Sequence, residues 1–361
     1  MADENDRRFM AAAIRLGGGA LGTTWPNPAV GAILVRDGRV ISRGRTARGG
    51  RPHAEAIALK RAGDLAAGGT LYVSLEPCSH QGQTPPCADA ILNAGVRRVV
   101  APLADPDPRV AGKGFERLRT GGVEISAGLL APEAQRAHVG HIARNAGPMP
   151  HVTLKLAVSA DDAIGRIGEG NVPVTGAIAR RHAQALRSRF DAVLVGSGTV
   201  AADDPLLTCR LPGLKRRSPV RVVLDSEAKL DGHFRVFSES SAPAWLMSAA
   251  KGFPPNNRIR KFVLPRSTLG GLDLWSCMYR LSDEGITRVL VEGGARIARA
   301  FLEADLVEDV LLFRSSVVLG GNVVPALAGL DLAEIENSDR FRRTERRMFG
   351  ADRMSRYERA R

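Results

Sequence analysis

The segment Gly147-Pro148-Met149-Pro150 interrupts the chain near its middle, and it cannot continue a helix because each proline lacks an amide donor and restricts the residue before it. Strand and helix patterns alternate before this segment and start again after it. The chain has 361 residues, which is enough for two domains that each bury a core. We therefore predict one α/β domain over residues 1–146 and a second over residues 147–361.

Hydrophobic periodicity places the elements of both domains. The helices predicted in the first domain span 6–16, 53–62, 88–93, 112–120 and 132–145, and its strands span 29–35, 40–44, 70–74 and 98–101. The helices predicted in the second domain span 177–188, 272–283 and 295–303, and its strands span 151–157, 192–195, 220–224, 244–247, 261–264, 288–291 and 310–313. From Arg340 onward, with Gly350 between two stretches, the pattern favours a closing hairpin, and a disordered basic tail is the alternative.

The net charge of +13 is compatible with nucleic acid, a phosphorylated substrate or simply a basic surface. Nearly half of this excess lies in the last 22 residues, which contain nine arginines and three acidic residues. The start of the chain is acidic and does not resemble a signal peptide, and no apolar run approaches the ~20 residues that span a bilayer. We expect a cytoplasmic protein whose four cysteines are reduced, as metal ligands or buried small residues.

Three metal-binding residue types are arranged in the order of a catalytic zinc site. His53-Ala54-Glu55 opens a predicted helix, Cys78 follows a strand that ends in Glu76-Pro77, and Cys87 opens the next helix. One imidazole and two thiolates leave the fourth position of a tetrahedral zinc open. Glu55, two residues after the histidine, is the candidate catalytic residue that moves a proton to the leaving amine. This arrangement matches the zinc deaminase signature except that eight residues, rather than two, separate the cysteines.

Further motifs surround these residues. They are Pro26-Asn27-Pro28-Ala29-Val30-Gly31, Leu75-Glu76-Pro77-Cys78-Ser79-His80, Thr84-Pro85-Pro86-Cys87-Ala88 and Asp105-Pro106-Asp107-Pro108-Arg109-Val110-Ala111-Gly112. Together with His53-Ala54-Glu55 they resemble the bifunctional deaminase/reductase family of riboflavin biosynthesis, in which the wide cysteine spacing is characteristic. The resemblance implies a cytidine-deaminase-like domain that deaminates a phosphoribosylamino-diaminopyrimidinone to the corresponding uracil. It also implies that Asn27 holds the pyrimidine ring and that His80 lines the same pocket.

Two glycine-containing turns follow strands in the second domain, Gly196-Ser197-Gly198-Thr199 and Glu292-Gly293-Gly294-Ala295. The second turn precedes a helix and could cradle a pyrophosphate, because backbone amides and the helix dipole favour an anion there. Such turns are more often simple connections, and the Gly-x-Gly-x-x-Gly fingerprint is absent.

The reductase half of the same family carries runs similar to Leu154-Lys155-Leu156-Ala157, Ala202-Asp203-Asp204-Pro205 and Val291-Glu292-Gly293-Gly294. The resemblance implies a dihydrofolate-reductase-like domain that uses NADPH to reduce the ribosyl group to a ribityl chain. Positions that correspond to functional positions of the family are called carried-over residues. Those expected to contact NADPH are Ala157, Pro173, Thr199, Asp203, Ser226, Gly294, Ala295, Arg296, Ile297, Ala298, Arg299 and Ala300. Those carried over as contacts of the phosphorylated sugar are Asn171, Arg187, Leu207, Arg210 and Glu292. Lys155 is a candidate proton donor for the reduction.

Arg187 and Arg210 have a physical case of their own, because a guanidinium fork binds phosphate through two hydrogen bonds. Three positions depart from the family pattern: Asn171 replaces a serine, Pro173 replaces an aromatic residue, and Asp162 replaces a glycine. Proline offers no aromatic ring face, so Pro173 cannot make the stacking contact that the usual aromatic residue could provide.

Three other functions remain open at this point. The second domain could be retained only as a scaffold, the first could edit tRNA, or the arginine-rich end could bind RNA. A tRNA-editing enzyme explains neither the cysteine spacing nor the second domain, and the arginine-rich end has few aromatic residues for stacking bases. We expect a zinc ion per chain, NADPH, a phosphorylated pyrimidine substrate and a homo-oligomer, with neither nucleic acid nor membrane as a partner.

Overall fold

The computed structural model describes residues 4–82, 85–252, 258–268 and 270–360. The chain divides into two compact units, Met1–Pro148 and Met149–Arg361. The division lies two residues beyond the boundary expected from the sequence, within the same proline-containing segment. Within the described ranges, no helix is long and apolar enough to cross a membrane.

The first unit is a three-layer α/β/α structure. Its helices are α1 (Glu4–Gly18), α2 (Ala54–Ala62), α3 (Cys87–Asn93), α4 (Lys113–Thr120) and α5 (Ala131–Ala146). Its strands are β1 (Gly31–Arg36), β2 (Arg39–Arg45), β3 (Thr70–Val73), β4 (Arg98–Ala101) and β5 (Glu124–Ala127). The sheet order is β2-β1-β3-β4-β5, with β1 antiparallel to both neighbours and β3, β4 and β5 parallel.

Alternation along the strands explains these layers, because successive side chains point to opposite faces of a sheet. Ala32 and Leu34 of β1 pack with α2, α3 and α4 on one face. Ile33 and Val35 of the same strand pack with α1 and α5 on the other face. Since β3 and β4 are parallel neighbours, the segments that follow them emerge at one edge of the sheet.

The second unit contains a nine-stranded sheet. Its helices are α6 (Ala177–Arg187), α7 (Ser197–Asp203), α8 (Arg235–Ser238), α9 (Leu274–Asp283), α10 (Ala295–Glu303) and α11 (Ala333–Glu336). Its strands are β6 (His151–Val158), β7 (Ala163–Arg166), β8 (Ala192–Gly196), β9 (Val220–Leu224), β10 (Ala244–Ser248), β11 (Ile259–Val263), β12 (Arg288–Val291), β13 (Asp309–Arg314), β14 (Val323–Pro325), β15 (Phe341–Phe349) and β16 (Asp352–Arg359).

The order of the large sheet is β11-β10-β9-β8-β12-β6-β13-β16-β15, and β7 pairs separately with β14. The first seven strands in this order are parallel. The last two form an antiparallel hairpin that adds to β13. The predicted closing hairpin is therefore confirmed, and the alternative of a disordered basic tail is wrong.

Candidate active sites

Local structure brings three potential metal ligands together in the first unit. His53 lies at the N-cap of α2, Cys78 follows β3, and Cys87 is the first residue of α3. The ligand atoms all lie within 4.8 Å of one another. His53 Nδ1 is 3.6 Å from the sulfur of Cys78 and 3.3 Å from that of Cys87. A tetrahedral zinc holds such atoms roughly 3.5 to 3.8 Å apart, so this donor set fits zinc.

The two cysteines are held and polarised by their neighbours. The Cys87 amide donates to Cys78 Sγ at 3.4 Å, and the Ala88 amide donates to the Cys78 carbonyl at 3.1 Å. Hydrogen bonds from the Cys87 thiol, His53 and the Cys87 amide outweigh burial and lower the pKa of Cys78 to about 4. The interaction with Cys78 raises the pKa of the Cys87 thiol in turn. Binding of a divalent cation ionises both thiols of such a pair.

Glu55 lies beside the ligands without belonging to the cluster that they form. It is the second residue of α2, and only 4% of its surface is exposed. Burial raises the pKa of Glu55, and its carboxyl group also interacts with His53 and Cys87. A buried carboxyl group with a raised pKa is better suited than an ordinary carboxylate to taking up and then releasing a proton.

Asn27 and His80 differ in their placement. The side chain of Asn27 lies against the backbone of Gly50. A Cβ added at Gly50 would be 2.0 Å from the side-chain nitrogen of Asn27. This contact holds the Asn27 loop against the residues just before His53. His80 is exposed on the loop that joins the two cysteines. Thr84, part of a motif on the same loop, lies outside the described residues.

Glu76 is a residue whose role the sequence motif did not reveal. Its buried carboxylate accepts four backbone N–H groups, two on each oxygen. The donors and distances to Oε2 are Asp105 at 2.9 Å and Gly112 at 2.9 Å, and those to Oε1 are Gly114 at 2.9 Å and Phe115 at 3.1 Å. These partners lie at least 29 residues away in sequence. The only sequence feature that could have indicated the role of Glu76 was its position just before Pro77-Cys78.

In the second unit, Arg187 and Glu292 bind each other. Arg187 Nε and Nη2 donate to the two carboxylate oxygens of Glu292 at 2.8 and 2.9 Å. Arg187 Nη1 donates to the Thr208 carbonyl at 3.1 Å. Arg187 therefore uses one N–H on each of its three nitrogens within the protein, and its fork faces Glu292. Lys155 on β6 interacts electrostatically with both residues, and burial lowers the pKa of its amine.

The two glycine turns lie side by side, because the neighbouring parallel strands β8 and β12 end at the same edge. Thr199 Oγ1 accepts a hydrogen bond from the Gly294 amide at 2.8 Å, which joins the start of α7 to the start of α10. Ile297 packs against Gly196 and Gly293, so both turns approach the same side chain. The segments after β6 and β9 emerge at this edge as well, which places Ala157 and Ser226 there. Such an edge is where ligands bind in open α/β sheets.

Several carried-over residues do not present their side chains at this edge. Ala295 is buried, and Ala298 has no exposed surface, so the structure does not place Ala298 on a cofactor-binding surface. Arg299 instead bonds Glu303 at 2.8 Å and the Ala328 carbonyl at 3.0 Å. Leu207 packs into the core beside β8 and β9, so its side chain is buried and only its backbone is left for the predicted substrate contact. Burial by distant elements, which the sequence does not show, accounts for these differences.

The other carried-over residues are partly or fully accessible. Arg296 is exposed and extends towards Gly198, and Ala300 is partly buried. Arg210 is exposed, with its backbone N–H donating to Gln184 Oε1 at 2.9 Å. Asp203, at the end of α7, is partly buried, and burial raises the pKa of its carboxyl group.

The loop between β7 and α6 contains two of the departures from the family pattern. Asn171 and Pro173 are both exposed there. The third departure has a conformational explanation: Asp162 has φ of 58°, in the left-handed region that favours glycine. Aspartate tolerates this region better than most residues, and its carboxylate also pairs with Arg314.

Comparison with known proteins addresses both units. Residues 3–103 match the cytidine and deoxycytidylate deaminase zinc-binding region, and residues 150–348 match the RibD C-terminal domain. The riboflavin biosynthesis protein RibD of Escherichia coli K12 is 36% identical over 358 residues, covering 96% of this chain and 97% of that protein. This chain belongs to the RibD family. The resemblance inferred from the motifs is confirmed.

Solved structures agree with this assignment along the whole chain. A diaminohydroxyphosphoribosylaminopyrimidine deaminase/5-amino-6-(5-phosphoribosylamino)uracil reductase from Thermotoga maritima matches with a TM-score of 0.88 at 33% identity over 99% of both chains. RibD from Acinetobacter baumannii matches with a TM-score of 0.86 at 31% identity over 99% of both chains. The predicted fold class, a deaminase-like domain followed by a reductase domain, is confirmed. The tRNA-editing and scaffold alternatives are not favoured.

Proposed function

We propose that this chain catalyses two successive reactions of riboflavin biosynthesis. The domain predicted over residues 1–146 deaminates 2,5-diamino-6-(5-phosphoribosylamino)pyrimidin-4-one, and the domain predicted over residues 147–361 reduces the ribosyl group of the product to ribityl. The observation that carries the first activity is the cluster of His53, Cys78 and Cys87 around a buried, non-ligating Glu55. The match of the second unit to the RibD C-terminal domain supports the second activity.

Deamination exchanges an amino group for oxygen, with water consumed and ammonia released. Zinc, when bound, supplies the Lewis acidity that lowers the pKa of water towards neutrality. His53, Cys78 and Cys87 would hold the metal. Glu55 takes a proton from the attacking water and delivers it to the departing amine, for which its burial and raised pKa are suitable. Asn27 and His80 hold and border the pyrimidine ring.

Reduction of the opened sugar needs a hydride and a proton. NADPH, when bound, supplies the hydride. We assign the proton to Lys155, whose pKa burial lowers and which lies near Glu292. The edge formed by Ala157, Thr199, Ser226 and the Gly294 turn would hold the cofactor.

The sugar phosphate needs a cation that remains accessible. Arg210 is exposed, whereas three guanidinium nitrogens of Arg187 already donate within the protein. We therefore assign phosphate binding to Arg210. Arg187 keeps Glu292 in place beside Lys155.

We also propose a substrate class, a location and an oligomeric state for the chain. A phosphorylated pyrimidine, rather than nucleic acid, is the partner, because the arginine-rich end is part of a sheet and several of its arginines pair with acidic residues. Cytoplasmic localisation is supported by four free cysteines. We also propose a homo-oligomer, whose interface would cover the exposed apolar side chains of Ile178 and Met348.

Metal analysis tests the zinc centre directly. We expect about one zinc per chain in the purified protein, because three ligands form one open site. Cys78→Ser and Cys87→Ser should lose the metal, whereas Cys209→Ser, which changes a buried cysteine of the second unit, should retain it. Full zinc occupancy in both ligand variants would overturn the assignment.

A further inference from the structure

The carboxylate of Glu76 connects three segments at the edge of the sheet where β3 and β4 end. Its Oε2 accepts the amides of Asp105 and Gly112, both in the loop between β4 and α4. Its Oε1 accepts the amides of Gly114 and Phe115, in the first turn of α4. Both oxygens are thus fully used by backbone donors, and the side chain is only 3% exposed.

The same contacts fix the peptide that carries Cys78. A Cβ added at Gly114 would lie 2.0 Å from the Pro77 carbonyl oxygen, so the start of α4 rests directly on the residue before Cys78. On the other side, the amides of Cys87 and Ala88 donate to the sulfur and the carbonyl of Cys78. The backbone around Cys78 is therefore held before the residue by Glu76 and α4, and after it by α3.

The loop that Glu76 binds is itself tied to α5. Asp105 Oδ1 accepts a hydrogen bond from the Asp107 amide at 2.9 Å and contacts His141 Nε2 at 2.9 Å. Glu76 therefore has partners that are themselves anchored. A movement of its carboxylate would disturb both the segment after β3, which carries Cys78, and the loop after β4.

We propose that Glu76 is a positioning residue for Cys78, holding this ligand at the distance from His53 and Cys87 that zinc requires. The inference rests on the zinc centre proposed above. Glu76 acts through the backbone and touches neither metal nor substrate. Partners of this kind, one step removed from the metal, typically contribute about 10- to 100-fold to metal affinity.

The test replaces Glu76 with glutamine and measures metal binding in the full-length chain. In Glu76→Gln an amide NH2 takes the place of one oxygen, so two backbone N–H groups lose their acceptor and face a donor. Cobalt(II) is the probe, because its visible absorption reports the geometry and sulfur ligation of the site. Chelator competition gives the affinities for cobalt and zinc. Cys78→Ser provides the spectrum expected when this ligand is lost.

Asp191→Asn is the matched control. Asp191 is also a buried carboxylate that accepts backbone amides, from Thr287 at 2.9 Å and Arg288 at 3.0 Å, but it belongs to the second unit. We expect it to lower thermal stability without changing the cobalt spectrum or the metal affinity. Glu76→Asp, which keeps both oxygens on a side chain one methylene shorter, replaces the glutamine variant if that variant does not fold.

The proposal predicts an altered cobalt spectrum and roughly 10- to 100-fold weaker metal binding in the Glu76 variant. A variant that is less stable but binds cobalt with the wild-type spectrum and affinity would overturn it, since Glu76 would then be only structural. If the wild-type chain itself binds neither zinc nor cobalt, the proposed metal centre fails and the inference fails with it.

Discussion

Glu55 can be changed without removing any of the three metal ligands, which allows its role to be separated from theirs. We expect Glu55→Gln to retain zinc and to lose deamination by roughly 10²- to 10⁴-fold, the contribution typical of a positioned acid/base group. Metal analysis and ammonia release measure the two effects. Reduction of already deaminated substrate serves as the control and should be unchanged. Deamination at the wild-type rate would mean that another group transfers the proton.

Arg187 and Arg210 of the second unit should respond differently to substitution. We expect Arg210→Ala to weaken reduction through a higher KM for the phosphorylated substrate, while zinc content and deamination remain unchanged. Arg187→Ala instead leaves buried Glu292 without its partner, which should destabilise the second unit by about 3–5 kcal/mol. Steady-state kinetics and thermal unfolding distinguish the two. Equal loss of both activities in Arg210→Ala would show that Arg210 supports the fold.

At the residue scale, the zinc ligands could be predicted because they lie in short motifs at the starts of helices and the end of a strand. The burial of Leu207 and Ala298 could not be predicted, since it depends on packing against elements distant in sequence. The function of Glu76 depends on four amides from another segment, so no local pattern specifies it.

Asp309 joins three neighbouring strands of the large sheet. Its carboxylate on β13 contacts His151 of β6 at 3.1 Å and accepts a hydrogen bond from Arg356 of β16 at 2.7 Å. Burial raises the pKa of Asp309, but His151 and Arg356 outweigh burial and lower the pKa to about 2. A carboxylate whose pKa is lowered by folding stabilises the native state above its unfolded pKa, and this stabilisation is lost as pH falls through the folded pKa.

We therefore expect Asp309 to contribute about 2 kcal/mol to stability above roughly pH 4, and this contribution should disappear towards pH 2. Urea unfolding of the second unit at a series of pH values measures this dependence. Asp309→Asn should be less stable at neutral pH and should depend less on pH in this range. Asp339→Asn, which changes an exposed carboxylate, is the control. An unaltered pH dependence in Asp309→Asn would contradict the prediction.

At the element scale, strong periodicity gave the correct bounds for β4, β9, β12 and α10. The sequence predicted a glycine turn where helix α7 begins. Gly196 and Gly198 are typical of turns, and a helix of only seven residues is too short to show a clear helical pattern. The short strands β5, β7 and β14 were missed because three or four residues are too few to show an alternating pattern. Their pairing depends on neighbours that the local sequence does not identify.

At the scale of the whole molecule, the proline-containing segment and the renewed alternation predicted two α/β domains, and the motifs predicted the family. The order of the nine strands could not be derived, because pairing between β12 and β6 joins segments more than 130 residues apart. That order is nevertheless what brings Lys155, Glu292 and the two glycine turns to one edge. The site of the second unit therefore follows from topology, whereas the zinc site follows largely from local motifs.

If one chain performs both reactions, turnover of the diaminopyrimidine substrate with and without NADPH should show each of them. Ammonia release follows the first reaction, and the absorbance of the reduced nicotinamide follows the second. We predict ammonia release in both cases and, with NADPH present, oxidation of NADPH mole for mole with the ammonia released. Ammonia release without substrate-dependent NADPH oxidation would show that the chain is not bifunctional and that the second unit is only a scaffold.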